Sequence, residues 1–210
     1  MSRVHVSQLL GLGGFALVLA IGASAFAARL SGRRAWLGPV ALAAMVVAGI
    51  QVHGIPLAGY PRGVLGDLSI TTLLMLAASL AAALTGRSIL DERSRAALSG
   101  WAVVAGLALY PQTLGLTRFD PYELGFRPRA LVLLVAALVV LWWWRRRGAA
   151  LVLAGGVAAF NLRVLESGNL WDYLLDPALV AWAVCVSVPR SAGGRIGAAL
   201  RAVRARLRGG

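Results

Sequence analysis

Carboxylates that could carry out chemistry collect in three polar segments that interrupt long apolar runs. The segments are residues 59–72, 110–129 and 161–177. They hold six of the eight acids of the chain, which are Asp67, Asp120, Glu123, Glu166, Asp172 and Asp176. Neighbouring carboxyl groups in a medium of low dielectric can have separated pKa values, as general acid–base catalysis requires. On this interpretation the catalytic candidates are Asp67, Glu166, Asp172 and Asp176.

The third segment also holds the residues best suited to bind a substrate or a partner. If it is helical, Asn169, Asp172 and Asp176 recur at positions i, i+3 and i+7 and share one face. An arginine at membrane depth is costly, so we expect Arg163 to pair with an acid of this segment. We expect the four charged residues of the segment to form one site, with Asp67 close by. The binding candidates are Arg163, Asn161, Asn169, Trp171 and Tyr173.

The same acids also fit a structural interpretation, and the sequence leaves both open. Asp120 and Asp176 each precede a proline, the pattern of a helix N-cap followed by proline in the first turn. Glu123, three residues after Asp120, completes the pattern of a capping box. Asp67 could cap the third apolar helix. Arg163 with one acid could be an ion pair that joins two helices.

Established catalytic signatures are absent from the sequence. It has no HExxH, no GxSxG, no phosphate-binding GxxxxGK[ST] and no CxxC pattern. His5 and His53 are too few for a three-histidine zinc site, although a site that combines them with carboxylates stays open. Cys185 is the only cysteine, so no internal disulfide forms. The sequence therefore predicts no cofactor and no bound metal.

The composition indicates an integral membrane protein. Hydrophobic residues make up 59% of the chain, the mean hydropathy is +0.76, and the apolar residues come in blocks of about 20, the length that spans a bilayer. We predict an all-α, polytopic bundle of about seven transmembrane helices over residues 1–189, followed by a tail over 190–210. The predicted spans are 9–28, 36–55, 67–86, 98–116, 129–144, 149–166 and 170–188.

The arginines predict how these spans are oriented. All 21 cationic residues are arginines, and 15 of them fall in alternate gaps between the spans or in the tail. The other six are Arg3, Arg62, Arg118, Arg127, Arg129 and Arg163. Because short arginine-rich loops stay in the cytoplasm, the N-terminus is predicted to lie outside and the C-terminus inside. Ala25-Phe26-Ala27 resembles a signal-peptidase site, but we expect the first helix to be retained.

The tail is predicted to be a basic amphipathic helix. Ile196, Leu200, Val203 and Leu207 fall on one side of a helical wheel, and arginines surround them. Such a helix would lie on the anionic lipids of the inner leaflet. A disordered tail that fixes the topology and a helix that docks onto a cytoplasmic partner are the alternatives. The net charge of +13 thus belongs to membrane boundaries, and we expect no nucleic-acid partner.

The function expected from these patterns is that of a multi-pass protein of a bacterial inner membrane. Many alanines, glycines and arginines without any lysine are typical of a GC-rich bacterial genome. The leading hypothesis is a non-catalytic binding or accessory component of an envelope process, which contacts an envelope protein or a lipid-linked partner on its outer face. The alternative is an integral-membrane hydrolase or transferase that acts on a lipid or polyprenyl-linked substrate at the outer leaflet. A small transporter is the third hypothesis.

Overall fold

The described part of the chain is mainly helical. The computed structural model describes residues 3–31, 36–113, 115 and 120–187. The helices in these ranges are α1 (Arg3–Ser31), α2 (Leu37–Gly49), α3 (Gly59–Leu65), α4 (Ile70–Thr85), α5 (Glu92–Thr113), α6 (Glu123–Phe126), α7 (Arg129–Trp143), α8 (Arg147–Asn161), α9 (Trp171–Leu174) and α10 (Pro177–Ser187). The predicted all-α class is confirmed at this level. The predicted amphipathic tail, 190–210, lies outside the described residues.

Polar side chains fix where several helices begin. Ser69 is the N-cap of α4, and its hydroxyl accepts a hydrogen bond from the Thr72 N–H at 3.2 Å. Asp91 precedes α5, and its carboxylate accepts from the Ser94 N–H at 3.1 Å. Asp176 precedes α10 and accepts from the Leu179 N–H at 2.8 Å, which confirms the cap predicted at Asp176-Pro177.

A short β-hairpin follows α2 and corrects the predicted second span. Strands β1 (Gln51–Val52) and β2 (Ile55–Pro56) pair antiparallel. The turn between them has φ of 51° at His53 and 79° at Gly54. Positive φ at both central residues matches the type I′ turn that two-residue hairpins favour. The span predicted over 36–55 therefore ends as a helix at Gly49.

The seventh predicted span, 170–188, is also interrupted. It divides into α9 and α10, because Leu175 is extended, with φ −142° and ψ 141°. Pro177 has no N–H to continue the helix of α9, so a new helix starts there under the cap of Asp176. The prediction of one continuous helix over 170–188 was wrong. The residues just before Pro177 form the separate short helix α9.

The helices pack in two groups around α4 and α8. Helix α1 lies against α2, α3 and α4, while α8 lies against α4, α5, α7 and α9. Ala149, Ala150 and Leu153 of α8 are fully buried. Small side chains at the centre let the neighbouring helices approach closely, as in helix packing within membranes. This group positions the ends of α4, α5 and α9, where the candidate residues lie.

Large apolar side chains are exposed on the helices, while the interior includes polar groups. Val104, Leu107, Leu133 and Leu141 on α5 and α7 are each more than two-thirds exposed. Ser69, Thr71, Ser94 and Asn169 are fully buried polar residues of the described ranges. Exposed apolar side chains of this size are typical of surfaces that contact lipid or another protein.

One segment of the described chain is long and apolar enough to cross a membrane. This segment is Gln8–Ala28 within α1. It is compatible with membrane association, and a signal sequence has the same length, composition and place in the chain. The apolar helices α2, α4, α7, α8 and α10 are shorter. The seven-span topology therefore stays a prediction.

Candidate functional site

One cavity brings together all four acids singled out as catalytic candidates. Asp67, Glu166, Asp172 and Asp176 line a space of about 410 Å³. We call it the acidic cavity. It lies where α5 approaches its C-terminal end and where α4 and α10 begin, and its other polar lining residues are Tyr110, Tyr122 and Ser167.

Asp176 is held by hydrogen bonds from two helices. It is 4% exposed. Its Oδ2 accepts from the Ser69 N–H at 2.9 Å, from the Ser69 hydroxyl at 2.7 Å and from the Thr72 hydroxyl at 2.5 Å. Its Oδ1 accepts from the Leu179 N–H at 2.8 Å. A buried carboxylate requires such donors, so Asp176 links the start of α4 to the start of α10.

Asp172 has a similar but less buried environment. The Tyr122 hydroxyl donates to both of its oxygens, at 2.9 Å and 3.0 Å, and the Ser167 hydroxyl donates to Oδ2. Burial raises the pKa of Tyr122 to about 12, and the hydrogen bond to Asp172 acts in the same direction. Tyr122 is therefore a protonated donor at neutral pH, and Asp172 is its acceptor.

Asp67 forms the one ion pair found among the described residues, and its partner is Arg62. The Arg62 Nε lies 2.6 Å from Asp67 Oδ1, and Nη2 donates to Oδ2 at 3.2 Å. This bond raises the pKa of Arg62, and the charge of Glu166 adds to the effect. A Cβ on Gly11 would overlap both side chains, so α1 covers the pair at close range. Asp67 does not cap α4, because Ser69 does.

Arg163 lies outside the acidic cavity and forms no ion pair with a described residue. Helix α8 ends at Asn161, so Arg163 stands in the turn beyond it, exposed and with φ of 51°. The pairing expected for Arg163 assumed a helix that continues to residue 166. An exposed arginine in a turn is hydrated and needs no acid. Asn161, the other polar candidate of this stretch, is exposed at the end of α8.

The remaining binding candidates are built into the scaffold. Asn169 is fully buried, its amide donates to the Tyr122 carbonyl at 3.0 Å, and its Oδ1 accepts from the Trp171 N–H at 2.9 Å. A Cβ on Gly125 would overlap the Asn169 amide, which shows how closely the two segments meet. The Trp171 indole donates to the Pro121 carbonyl at 3.0 Å. Asn169 and Trp171 thus join residues 121–125 to α9.

Tyr173 closes the turn between α8 and α9. Its side chain is fully buried, and its hydroxyl donates to the Leu165 carbonyl at 2.9 Å and accepts from the Leu165 N–H at 3.0 Å. Its ring meets Phe160 edge to face, with centroids 5.3 Å apart. These contacts hold Glu166 and Ser167 at the mouth of the cavity.

Asp120 and Glu123 lie away from this cavity. The Asp120 carboxylate accepts from the Tyr122 N–H at 2.9 Å and closes a turn before α6. Glu123 is exposed in the first turn of α6. The N-cap of α6 is Tyr122, and no side chain caps this helix, so the capping box predicted for Asp120 and Glu123 was wrong.

The described residues include no group of three or more His, Cys, Asp and Glu that could hold a metal ion. His53 is exposed in the hairpin turn. The polar lining of the cavity consists of carboxylates and hydroxyl groups, of which Tyr122 and Ser167 donate to Asp172. Such an arrangement can bind cationic or hydrogen-bond-donating groups at its mouth, where Glu166 is exposed.

The sequence interpretation missed the residues that complete the site. They are Arg62, Ser69, Thr72, Tyr122 and Ser167. Ser69 could have been recognised as a helix start, since serine is a preferred N-cap before an apolar run. Its bond to Asp176 joins residues 107 positions apart and has no local signal.

No protein-family model, curated protein or solved structure matches this chain.

Proposed function

We propose that the chain is a multi-pass protein of a bacterial inner membrane, with its N-terminus outside and the acidic cavity on the outer face. The observation that carries this proposal lies along α5. Arg93 stands near its start and Tyr110, which lines the acidic cavity, near its end. They are 17 positions apart, which corresponds to about 26 Å at ~1.5 Å per residue, close to the ~30 Å hydrocarbon core.

The exposed side chains support the same topology. Between the two ends of α5, Val104 and Leu107 face outward, as Leu133 and Leu141 do on α7. In water these side chains would expose a large apolar surface at a cost of ~25 cal/mol per Å². In a bilayer they meet lipid tails. The arginines gathered at the end opposite the acidic cavity fit the positive-inside rule, in which Lys and Arg set the orientation.

We propose further that the protein is a non-catalytic binding or accessory component of an envelope process. The hydrogen bonds of the acidic cavity support this choice. Asp176 accepts four of them and Asp172 three, so both carboxylates serve as anchors between segments. A general acid or base needs an accessible proton position beside the substrate. Val64, the chain neighbour of the lining residue Leu65, is 85% exposed, which provides apolar contact area for a partner.

The alternative function, a hydrolase or transferase for a lipid or polyprenyl-linked substrate, draws on one observation. Four carboxylates converge on a single cavity. Asp67 and Glu166 are the two that are exposed at its mouth, so they would carry the chemistry. The transporter hypothesis ranks below both, because the acids of the cavity all lie towards one end of α5.

Topology fusions test the first part of the proposal. Alkaline phosphatase and fluorescent-protein fusions after residues 64, 90, 120 and 147 should report outside, inside, outside and inside. The reverse pattern, or phosphatase activity at all four positions, would contradict the multi-pass arrangement. Phosphatase activity at all four positions is also expected if the chain is cleaved after Ala27 and the remainder is exported.

Site-specific photo-cross-linking tests the second part. A photoreactive residue in place of Val64 should form a defined cross-linked band in living cells, because it lies beside the cavity. The same residue in place of Ile89, which is 64% exposed in the loop after α4, is the matched control and should not give that band. Loss of the cellular phenotype in Asp67→Asn and Glu166→Gln, with the Val64 band unchanged, would favour the enzyme instead.

A further inference from the structure

A long groove runs between α5 and α7. Both helices rest on α8, and the space between them measures about 1530 Å³. This exceeds the ~300–1000 Å³ of pockets for small ligands. Trp101, Val104, Leu134 and Leu138 are part of its apolar wall. We call it the α5–α7 groove.

The two ends of the groove differ in charge. Arg93, Arg145 and Arg146 line one end, while Pro111, Pro121 and Trp171 line the other. Arg93 and Pro111 are 18 positions apart, which corresponds to about 27 Å of helix, nearly the thickness of the hydrocarbon core. The groove is thus an apolar channel of bilayer length with cations at one end.

The three arginines are available to an anion. No acid lines the groove, and none of the three forms an ion pair with a described residue. The Arg146 guanidinium lies 5.9 Å from the centre of the Trp142 ring, which keeps it near the wall of the groove. Arginine donates two hydrogen bonds in a fork that fits a phosphate.

We propose that the α5–α7 groove binds one anionic phospholipid of the cytoplasmic leaflet. The phosphate lies between Arg93, Arg145 and Arg146, and an acyl chain follows the apolar wall past Trp101. This inference rests on the proposed membrane topology, since the arginine end must face the cytoplasm.

Charge favours a lipid over a second copy of the chain in the groove. A second copy would have to bring acids to the arginine end. In the sequence, the only acids assigned to that side are Asp91 and Glu92, against 15 arginines. The carboxylate of Asp91 already accepts a hydrogen bond at the start of α5. Two such surfaces repel each other, whereas an anionic headgroup complements them.

Native mass spectrometry of the full-length protein in mild detergent tests the proposal. Added phosphatidylglycerol should bind as one retained molecule with higher affinity than phosphatidylcholine. Arg145→Ala and Arg146→Ala should each weaken phosphatidylglycerol binding about fivefold, as expected for one basic residue at a lipid surface. Arg147→Ala is the matched control, because its guanidinium lies 5.0 Å from the Trp143 ring and does not line the groove. It should leave binding unchanged.

A second pair of variants tests the place of binding. A Cβ on Gly100 or on Gly22 meets no atom within 4 Å, so both glycines accept a larger side chain. Only Gly100 lines the groove. Gly100→Leu should remove the one-lipid adduct, whereas Gly22→Leu on α1 should retain it.

Three results would overturn the proposal. One is equal affinity for phosphatidylglycerol and phosphatidylcholine. Another is an equal loss of phosphatidylglycerol affinity in Arg147→Ala and in Arg145→Ala. The third is a dimer that Gly100→Leu dissociates, which would show a second copy in the groove. If the topology fusions give the expected pattern while lipid selectivity is absent, this inference alone fails. If the fusions contradict the topology, the proposed function fails with it.

Discussion

The acidic cavity and the arginine end of the α5–α7 groove lie near opposite ends of α5, and they treat their charges differently. In the cavity, Asp172 and Asp176 accept several hydrogen bonds each from hydroxyl and amide groups of other segments. At the arginine end, Arg145 and Arg146 form no ion pair with a described residue and lie beside tryptophan rings or solvent.

The difference follows from side-chain length and burial. A short aspartate that caps a buried helix end cannot reach water, so the protein must supply donors. A long arginine at a helix end extends its guanidinium to the aqueous boundary while its methylene groups cover apolar surface. Asp172 and Asp176 thus join separate segments through hydrogen bonds, whereas Arg145 and Arg146 form no ion pair with a described residue.

We expect Asp176→Ala to lower the free energy of unfolding most. The change leaves the buried hydroxyls of Ser69 and Thr72 without their acceptor and removes the N-cap of α10. We expect a loss of about 3 kcal/mol in the free energy of unfolding, measured by denaturant titration in detergent. Glu166→Ala, an exposed acid of the same cavity, is the control and should change stability by less than about 0.5 kcal/mol. Wild-type stability in Asp176→Ala would mean that its carboxylate is not an anchor.

Gly125→Ala should have the next largest effect. The added Cβ would overlap the Asn169 amide, whose hydrogen bonds hold residues 121–125 against α9. We expect a loss of about 2 kcal/mol, typical of overpacking. Gly63→Ala is the control, because a Cβ there meets no atom within 4 Å. If both alanines are tolerated equally in thermal unfolding, the close contact at Asn169 is wrong.

Tyr122→Phe removes the phenol that donates to Asp172. We expect a loss of about 1.5 kcal/mol at neutral pH, the range for a hydrogen bond to a charged group. The pKa of Tyr122 is raised from 10.0 to about 12 in the folded protein. A raised pKa gives stability that is present below pH 10 and lost as the pH rises to about 12. The stability difference between wild type and Tyr122→Phe should therefore shrink above pH 10, and a constant difference would contradict the assignment.

Substitutions at Arg163 should change the free energy of unfolding least, and one of them should increase it. Its φ of 51° is unfavourable for a side chain with a Cβ, and it has no ion-pair partner among the described residues. Arg163→Gly should raise the free energy of unfolding by up to about 1 kcal/mol, while Arg163→Ala should leave it nearly unchanged. A loss above about 2 kcal/mol in Arg163→Ala would restore the ion pair that the sequence suggested.

Local features of the fold could be predicted from the sequence where a single residue type decides them. The proline after Asp176 predicted the cap of α10 correctly, because proline has no N–H and aspartate accepts from the first turn. The end of α8 could not be predicted. Asn161-Leu162-Arg163 contains neither glycine nor proline, and an arginine with positive φ is uncommon. Because α8 ends at Asn161, Arg163 is not on a helix facing the acids, and the expected ion pair does not form with a described residue.

The expected site, Arg163 with Glu166, Asp172, Asp176 and a nearby Asp67, is found in part: the four acids line one cavity and Arg163 lies outside it. Whether this cavity is a functional site stays a prediction. The donors that hold them could not be predicted. Tyr122 and Asp172 are 50 positions apart, and Ser69 and Asp176 are 107 apart. No periodicity connects segments at such distances, because only tertiary packing brings them together.

Cysteine labelling in intact cells tests whether the acidic cavity and the arginine end face opposite sides of a membrane. In a Cys185→Ser background, which has no other cysteine, Val64→Cys reports on the cavity side and Ile89→Cys on the arginine side. Both positions are well exposed, at 85% and 64%. A membrane-impermeant maleimide should label Val64→Cys in intact cells and Ile89→Cys only after lysis. Labelling of both before lysis, or of Ile89→Cys alone, would contradict the account.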